Sequence, residues 1–291
     1  MRIHAIQTGT VAITQSWRRG NGPGAIRRLN TLLDRRWTEP LPIYAWVVEH
    51  PEGVLVVDTG ETARASQPGY LPRWHPYFHF AVREWVRPEQ EIGPQLRALG
   101  IDPQRDVRWL VMTHLHTDHA GGLAHFSGVD ILVSRTEYAG AQGFHGQLDG
   151  YLNTRWPGWF APRLLDFADR PYGPFAQSLP LTKAGDIVLV PTPGHTRGHL
   201  SVVVQDGAHA VFLAGDTSYA QELLLAQAPD GVGPDAARER ATHRHILQLA
   251  QSAPMVYLPT HDPDSAQRLA ERRIVPAAAV AASLIVSKAA A

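Results

Sequence analysis

The sequence predicts an α/β fold, and three observations predict it. Short apolar runs rich in Val, Ile and Leu recur at 54–57, 107–112, 130–133 and 187–190, each bounded by Gly, Pro or Asp, as buried strands are. Amphipathic helical stretches lie between and after them, at 91–99, 236–251 and 264–273. A His or an Asp repeatedly stands just past the end of a strand-like run. At 291 residues with 44% hydrophobic content the chain has ample material for a core and suits one large domain.

In chain order, residues 3–13 read as the first strand. Residues 15–42 are basic and turn-rich, with Gly20-Asn21-Gly22-Pro23-Gly24 and a helical patch at 25–33. Arg27, Arg28, Arg35 and Arg36 are interleaved with Asp34 and Glu39, so they read as solvated surface charge rather than a nucleic-acid patch. Residues 43–49 and 54–57 are strands joined by a hairpin turn at His50-Pro51-Glu52-Gly53. Asp58-Thr59-Gly60 ends the second of them, in a sequence suited to an Asx-turn.

Residues 67–87 carry Tyr70, Trp74, Tyr77, Phe78, Phe80 and Trp85 among Pro68, Pro72 and Pro76, and read as irregular. Such aromatics serve equally as a pocket wall or as loop anchors. His75 and His79 have helical ligand spacing, but Pro76 argues against a regular helix through both, so they are not candidate ligands. The helix at 91–99 ends at Gly100, a normal cap.

The centre of the chain is Leu110-Val111-Met112-Thr113-His114-Leu115-His116-Thr117-Asp118-His119-Ala120-Gly121-Gly122. A strand starts near Val107, and at its end His114 and His116 are two apart, which on a strand points both imidazoles the same way. Asp118 and His119 follow, where the small residues Ala120-Gly121-Gly122 let the backbone turn. Imidazole and carboxylate suit zinc and its first-row neighbours. Partners follow downstream: Thr192-Pro193-Gly194-His195-Thr196, Leu213-Ala214-Gly215-Asp216 and Tyr257-Leu258-Pro259-Thr260-His261. A second aromatic stretch, 138–180, holds Phe144, His145, Tyr151, Trp156, Trp159, Phe160 and Phe167. His145 there reads as a loop histidine, and His243 and His245 on the 236–251 helix read as surface residues. The stretch 274–286 is too short to span a bilayer and reads as a packed strand or helix.

This order of motifs, from Val54 to His261, resembles the metallo-β-lactamase superfamily. The resemblance implies a four-layer αββα sandwich, one domain over 1–291, with loop insertions at about 62–90 and 138–180. Carried over residue by residue, it implies that His114, His116 and His195 hold one metal, that Asp118, His119 and His261 hold a second, and that Asp216 bridges both. It makes Asp58 a residue that orients the site through hydrogen bonds, makes His199 a supporting residue rather than a ligand, and places the N-terminal region as a lid or an oligomer contact. Two divalent ions are implied, zinc first, with Mn, Co or Fe as alternatives.

Composition narrows the chemistry. The chain has no cysteine, which excludes disulfides, thiolate ligands and a thiol nucleophile. Formal net charge is zero, which gives no general pull toward nucleic acid or an anionic membrane. The first residues lack the long apolar core of a secretion signal, so a cytoplasmic enzyme is expected. No Gly-x-Ser-x-Gly elbow offers a serine nucleophile. A metal pair removes the need for one, since bound water ionises near pH 7 instead of about 16. The expected step is attack of a metal-bridging hydroxide on a carbonyl carbon.

Gly215-Asp216-Thr217-Ser218-Tyr219 narrows the substrate. A Tyr three residues after the bridging Asp resembles the N-acyl-homoserine lactone lactonases, which implies that Tyr219 donates a hydrogen bond to the substrate carbonyl or oxyanion. Asp118, Asp216 and Tyr219 are therefore the candidate catalytic residues, and quorum quenching by lactone opening is the expected activity. A phosphotriesterase or arylesterase of the methyl-parathion-hydrolase type shares the ligand set and is the alternative. A non-catalytic metal-dependent binding protein ranks below both, because all the ligand positions are filled. Glyoxalase II-like, secreted β-lactamase and RNase Z-like members fit less well. The expected partner is a small-molecule lactone or ester, with no nucleic acid and no membrane, and a homodimer is compatible with the aromatic N-terminal half.

Overall fold

In the computed structural model, which describes residues 1–289 and side chains through residue 285, the apolar runs are strands of two sheets. The first sheet contains β1 (Arg2–Ile13), β2 (Leu41–His50), β3 (Gly53–Val57), β4 (Val82–Trp85), β5 (Val107–Val111), β6 (Asp130–Ser134) and β7 (Arg163–Leu165). Their spatial order is β4-β1-β2-β3-β5-β6-β7. The second contains β8 (Leu179–Pro180), β9 (Ile187–Pro191), β10 (Leu200–Asp206), β11 (His209–Gly215) and β12 (Met255–Pro259), in the order β12-β11-β10-β9-β8.

The period-two alternation of strand side chains sorts these runs into three apolar layers. Tyr44, Trp46, Val48, Leu55, Val57 and Val111 face Leu189, Leu200, Val202, Leu213, Val256 and Leu258 between the sheets. The alternate residues Ala45, Val47, Val56, Leu110 and Met112 turn outward onto Ile92, Leu96, Leu123 and Phe126, from the helix Ile92–Ala98 and the 3-10 turn Gly121–Phe126. On the other side Val188, Val190, Val203, Phe212 and Tyr257 pack on Ile246, Leu247, Leu249 and Val280, from the helices Ala236–Ser252 and Ala277–Ala289. Strands that bury both faces must be apolar throughout, which is why they read as continuous runs. The result is the αββα sandwich. Leu189, buried completely between the sheets, is worth about 2–5 kcal/mol on truncation to Ala.

Two stretches differ from the sequence reading. Residues 67–87 are not irregular throughout: they hold the helix Pro76–Phe80 and strand β4. Pro76 opens the helix, where its missing N–H would have no partner in any case, and His75 lies just outside as the cap residue. Strand β4 pairs antiparallel with β1, so part of the expected 62–90 insertion is the edge of the first sheet. The stretch 138–180 likewise contributes β7 and β8 as edge strands, along with the helix Gly143–Leu148. The C-terminal stretch is the helix Ala277–Ala289, and the last two alanines lie outside the described residues. Among the described residues no helix is long and apolar enough to cross a membrane.

Candidate metal centre

Strands β3 and β5 run parallel, as do β11 and β12, so their carboxyl ends gather at one edge of the sandwich. Backbone bonds lock the two sheets there: Leu200 N donates to Thr113 O at 2.9 Å and Tyr44 N to Thr260 O at 3.1 Å. All seven candidate donors leave the sheets at this edge.

The central motif reaches it differently from the sequence reading. Strand β5 stops at Val111, so His114 and His116 are not strand residues. Their rings converge, with centroids 4.7 Å apart at 87°, from an irregular segment in which Leu115 is completely buried and donates its N–H to Glu137 Oε1 at 3.1 Å. Asp118 and His119 lie on a single helical turn, Thr117–Ala120. Gly121 and Gly122 serve close approach rather than a turn. A Cβ on Gly122 would sit 2.6 Å from Thr59 O, and one on Gly121 2.7 Å from Thr62 N.

The donor atoms form overlapping groups, each within 4.8 Å: His114, His116 and His195; Asp118, His119 and His261; and His114, His119 and Asp216. Asp216 faces both sides. Its Oδ1 lies 3.2 Å from His119 Nε2, and its Oδ2 lies 3.3 Å from His261 Nε2 and 3.7 Å from His195 Nε2. His261 Nε2 is also 3.3 Å from Asp118 Oδ2, and His116 Nδ1 is 3.0 Å from His195 Nε2.

Each imidazole is oriented through its other nitrogen, as metal-binding histidines are. His119 Nδ1 bonds Asp58 Oδ2 at 2.8 Å, His195 Nδ1 bonds Asp230 Oδ2 at 2.5 Å, and His261 Nδ1 bonds Pro42 O at 2.9 Å. His114 Nδ1 meets Thr113 Oγ1 at 3.1 Å, and His116 Nε2 meets Asp149 O at 3.3 Å. Asp58 also accepts from Thr113 N and Thr113 Oγ1, both at 2.7 Å, and so ties β3 to the central motif. His199 supports Asp216: its Nε2 accepts from Asp216 N at 3.0 Å, and its Nδ1 pairs with Thr192 Oγ1.

The arrangement leaves His114 Nε2, His119 Nε2 and Asp216 Oδ1 completely buried without a hydrogen-bond partner. Three unpaired polar atoms in one place would each cost about 1–3 kcal/mol if nothing filled the space among them. They converge, His119 Nε2 and Asp216 Oδ1 at 3.2 Å, in an arrangement of nitrogen and oxygen donors that a divalent cation fits.

The electrostatics agree. Burial, then neighbouring imidazoles, hold His114 well below its ordinary pKa and bring His116 down to about 3, so both are neutral ligands in waiting. Burial also opposes protonation of His261, but Asp216 and Asp118 outweigh it and push the ring up to about 10. His119 is raised in the same way by Asp216 and Asp58, and His195 by Asp230. Burial would raise Asp216, yet His261 and His119 hold its carboxyl well below the usual range. Without a cation the carboxylates of the site therefore favour the protonated forms of His119, His195 and His261.

Tyr219 lies between the two ends of this cluster. Its ring stacks on His261 at 5.3 Å and 15° and meets His195 edge-on at 6.2 Å. Trp17 Nε1 donates to its hydroxyl at 2.7 Å, and burial, then Asp216, keeps the phenol protonated far above neutral pH. A cavity opens over the site, walled by Val11, Ile13, Trp17, Tyr77, Phe78 and Tyr151. Both aromatic stretches thus supply cavity wall, Tyr77 and Phe78 from one and Tyr151 from the other. Others only pack: Tyr138, Trp156 and Phe160 contact one another. The N-terminal region covers the site through Trp17 and Arg28.

Sequence reasoning missed Asp230, Trp17 and Glu84 near the site, and no local pattern marks them. Two of its readings are corrected. His243 is not a surface residue: it is fully buried, with Nε2 2.5 Å from Thr217 O, while His245 is exposed. Arg27 is not solvated: it is 3% exposed and donates to the carbonyls of Asp230 and Gly233, bracing the loop that carries Asp230.

A family model described as the metallo-beta-lactamase superfamily matches residues 38–261. The chain is 29% identical over 264 residues to a probable metallo-hydrolase of Mycobacterium tuberculosis, covering 83% of this chain and 81% of that one. It is 25% identical over 274 residues to the N-acyl homoserine lactonase AttM of Rhizobium radiobacter, covering 91% and 94%. Among solved structures, an N-acyl homoserine lactone hydrolase with N-hexanoyl-L-homoserine bound at its catalytic metal centre superposes with a TM-score of 0.71 at 22% identity, over 94% of this chain and 97% of that one.

Proposed function

The chain belongs to the metallo-beta-lactamase superfamily as a metal-dependent hydrolase, and on that premise we propose that it opens the lactone ring of N-acyl-homoserine lactones. In this reading His114, His116 and His195 would hold one divalent ion, Asp118, His119 and His261 would hold a second, and Asp216 would serve both. Zinc suits this imidazole and carboxylate set first, with Mn, Co and Fe as alternatives. Bound together, such ions supply a hydroxide nucleophile at neutral pH and a Lewis acid for the carbonyl oxygen.

The chain's own residues do the rest. Tyr219 donates its hydroxyl proton to the lactone carbonyl oxygen, a bond that strengthens as charge builds there. Trp17 occupies a lone pair of that hydroxyl and so aims the proton into the cavity. Asp118 lines the cavity at 16% side-chain exposure against 3% for Asp216, which makes it the carboxylate placed to take the proton released by the attacking oxygen and pass it to the departing ring oxygen. The apolar wall takes the acyl tail and excludes water. The observation that carries the reading is the seat of Tyr219 between His195 and His261, its hydroxyl already oriented.

The test is a paired assay on metal-replete protein, with metal counted: ring opening of short- and long-chain N-acyl-homoserine lactones against hydrolysis of a paraoxon-type triester. Lactone turnover well above triester turnover, with about two ions per chain, is the expected result. Dominant triester turnover would move the assignment to the phosphotriesterase alternative and make Tyr219 incidental.

A further inference from the structure

Glu84 stands where strand pairing calls for an apolar side chain. On the edge strand β4 it alternates with exposed Arg83 and Trp85, so it points inward beside Val82. Across the pairing it faces Val11, while Val82 faces Ile13. These four residues form one patch of the cavity wall, three of them aliphatic and one a carboxyl. Glu84 is only 7% exposed, and its Oε2 is fully buried with no hydrogen-bond partner.

The neighbouring acid Glu61 hydrogen-bonds the Glu84 carboxyl but leaves Oε2 without a partner. Glu61, itself completely buried, has both oxygens engaged: Oε1 accepts from Thr62 N at 2.7 Å and Oε2 from Thr117 Oγ1 at 2.6 Å. A fold that needed only a filled wall would do as well or better with Leu or Val at position 84, since burying an unsatisfied carboxyl opposes stability. An orphaned acceptor on a residue of a substrate cavity's wall is instead what a site built around a ligand N–H shows when no ligand is bound.

We propose that Glu84 is a specificity-determining residue whose carboxyl oxygen accepts the N–H of an acylamino group on the carbon next to the scissile carbonyl. The inference rests on the lactonase reading and adds to it which part of the substrate is recognised, and by what. Glu84 shares the cavity wall with Asp118 and His261, so the group it receives lies in the same cavity as the reacting carbon. Enclosed among Val11, Ile13 and Val82, an amide N–H has no water to pair with, and the carboxyl replaces that water.

The experiment compares wild type, Glu84→Gln and Glu84→Leu on two substrates, N-hexanoyl-homoserine lactone and an aliphatic γ-lactone of similar length with no nitrogen. Glu84→Leu is expected to lower kcat/KM on the acylamino lactone about tenfold or more, the loss expected of one buried hydrogen bond, and to leave the aliphatic lactone unchanged or faster. Glu84→Gln retains an acceptor and is expected to stay within about threefold of wild type on both substrates. A second readout needs no turnover. Quenching of tryptophan fluorescence in metal-free protein titrated with N-hexanoyl-homoserine lactone should weaken by a similar factor in Glu84→Leu alone. Equal losses on the two lactones, or none on either, overturn the assignment of Glu84 while leaving the lactonase reading intact. A wild-type protein that opens neither lactone overturns both.

Discussion

Trp17 Nε1 donates a 2.7 Å hydrogen bond to the hydroxyl of Tyr219, joining residues 202 positions apart at the roof of the metal centre. A phenol O–H rotates freely about its C–O bond, and a donor on one lone pair restricts where the proton points. Trp17→Phe keeps an aromatic wall and removes only that donor. We expect kcat on an N-acyl-homoserine lactone to fall about tenfold, and Tyr219→Phe to fall further. In the double variant Trp17→Phe should add little to Tyr219→Phe, because it acts through the same hydroxyl. Fully additive losses in that double-mutant cycle would show that Trp17 shapes the cavity independently of Tyr219.

Asp230 holds His195 by the 2.5 Å bond to Nδ1 and is itself held by the N–H groups of Val232 and Gly233 at 2.8 and 2.6 Å. Such partners fix the tautomer and aim of a metal-binding imidazole, and their loss typically weakens metal binding about 10- to 100-fold. Asp230→Ala should therefore retain about one ion per chain after dialysis against a weak chelator that leaves the wild type with two. Metal content equal to wild type would remove Asp230 from the centre.

The seven donors were legible because metal chemistry restricts residue type so strongly. A His or Asp immediately past an apolar run is visible without knowing what lies beside it. The supporting roles of Asp58 and His199 came from the family resemblance and not from residue type alone. The two sheets were legible because strands buried on both faces carry no polar interruption. What was hidden depends on contacts between distant segments. Arg27 reads as one of four loop arginines until Asp230 and Gly233 arrive from some 200 residues away to receive its guanidinium. His243 reads as a polar helix residue until Thr217 O is seen against it. The expectation that strand alternation aims His114 and His116 failed because β5 ends at Val111, so burial of Leu115 sets their direction instead. Strand β4 was missed because four residues beside a proline-led helix are too few to show an alternation.

Metal uptake should release protons. In metal-free protein the pKa values of His119, His195 and His261 are all raised, and His261, at about 10, carries at pH 7.5 a proton that a cation must displace. Calorimetric titration of metal-free protein with zinc in buffers of different ionisation enthalpy should show net release of one or more protons per chain. Apparent affinity should rise with pH across the neutral range. For the metal-free fold the sign is reversed: raised histidine pKa values contribute stability that is complete below about pH 6.5 and fades as pH climbs through the folded values. Heat signals independent of buffer would sink this account of the site.

Asp34 anchors the segment that carries Trp17. Its Oδ2 accepts from Ser16 N at 3.0 Å and Ser16 Oγ at 2.7 Å, while Oδ1 accepts from Arg36 N at 3.0 Å and Arg36 Nε at 2.9 Å. The Arg36 bonds, opposed by partial burial and aided by Ser16, hold the carboxyl well below the usual aspartate range. A depressed folded pKa stabilises above the unfolded value, near 4, and that stability is lost as pH falls toward the folded value. Arg36 is 75% exposed, so solvent screening discounts its share, and the bonds to Ser16 are the larger part. Asp34→Ala should lower stability by about 1–2 kcal/mol in urea unfolding at pH 7. The gap between the two proteins should narrow as the pH is taken below about 4, where the carboxylate of the unfolded chain begins to protonate while the folded one is still ionised. Because Ser16 adjoins Trp17, the same variant should lower lactone kcat more than it lowers metal content. A stability difference that does not change between pH 7 and pH 3 would mean that Asp34 contributes through packing and not through its charge.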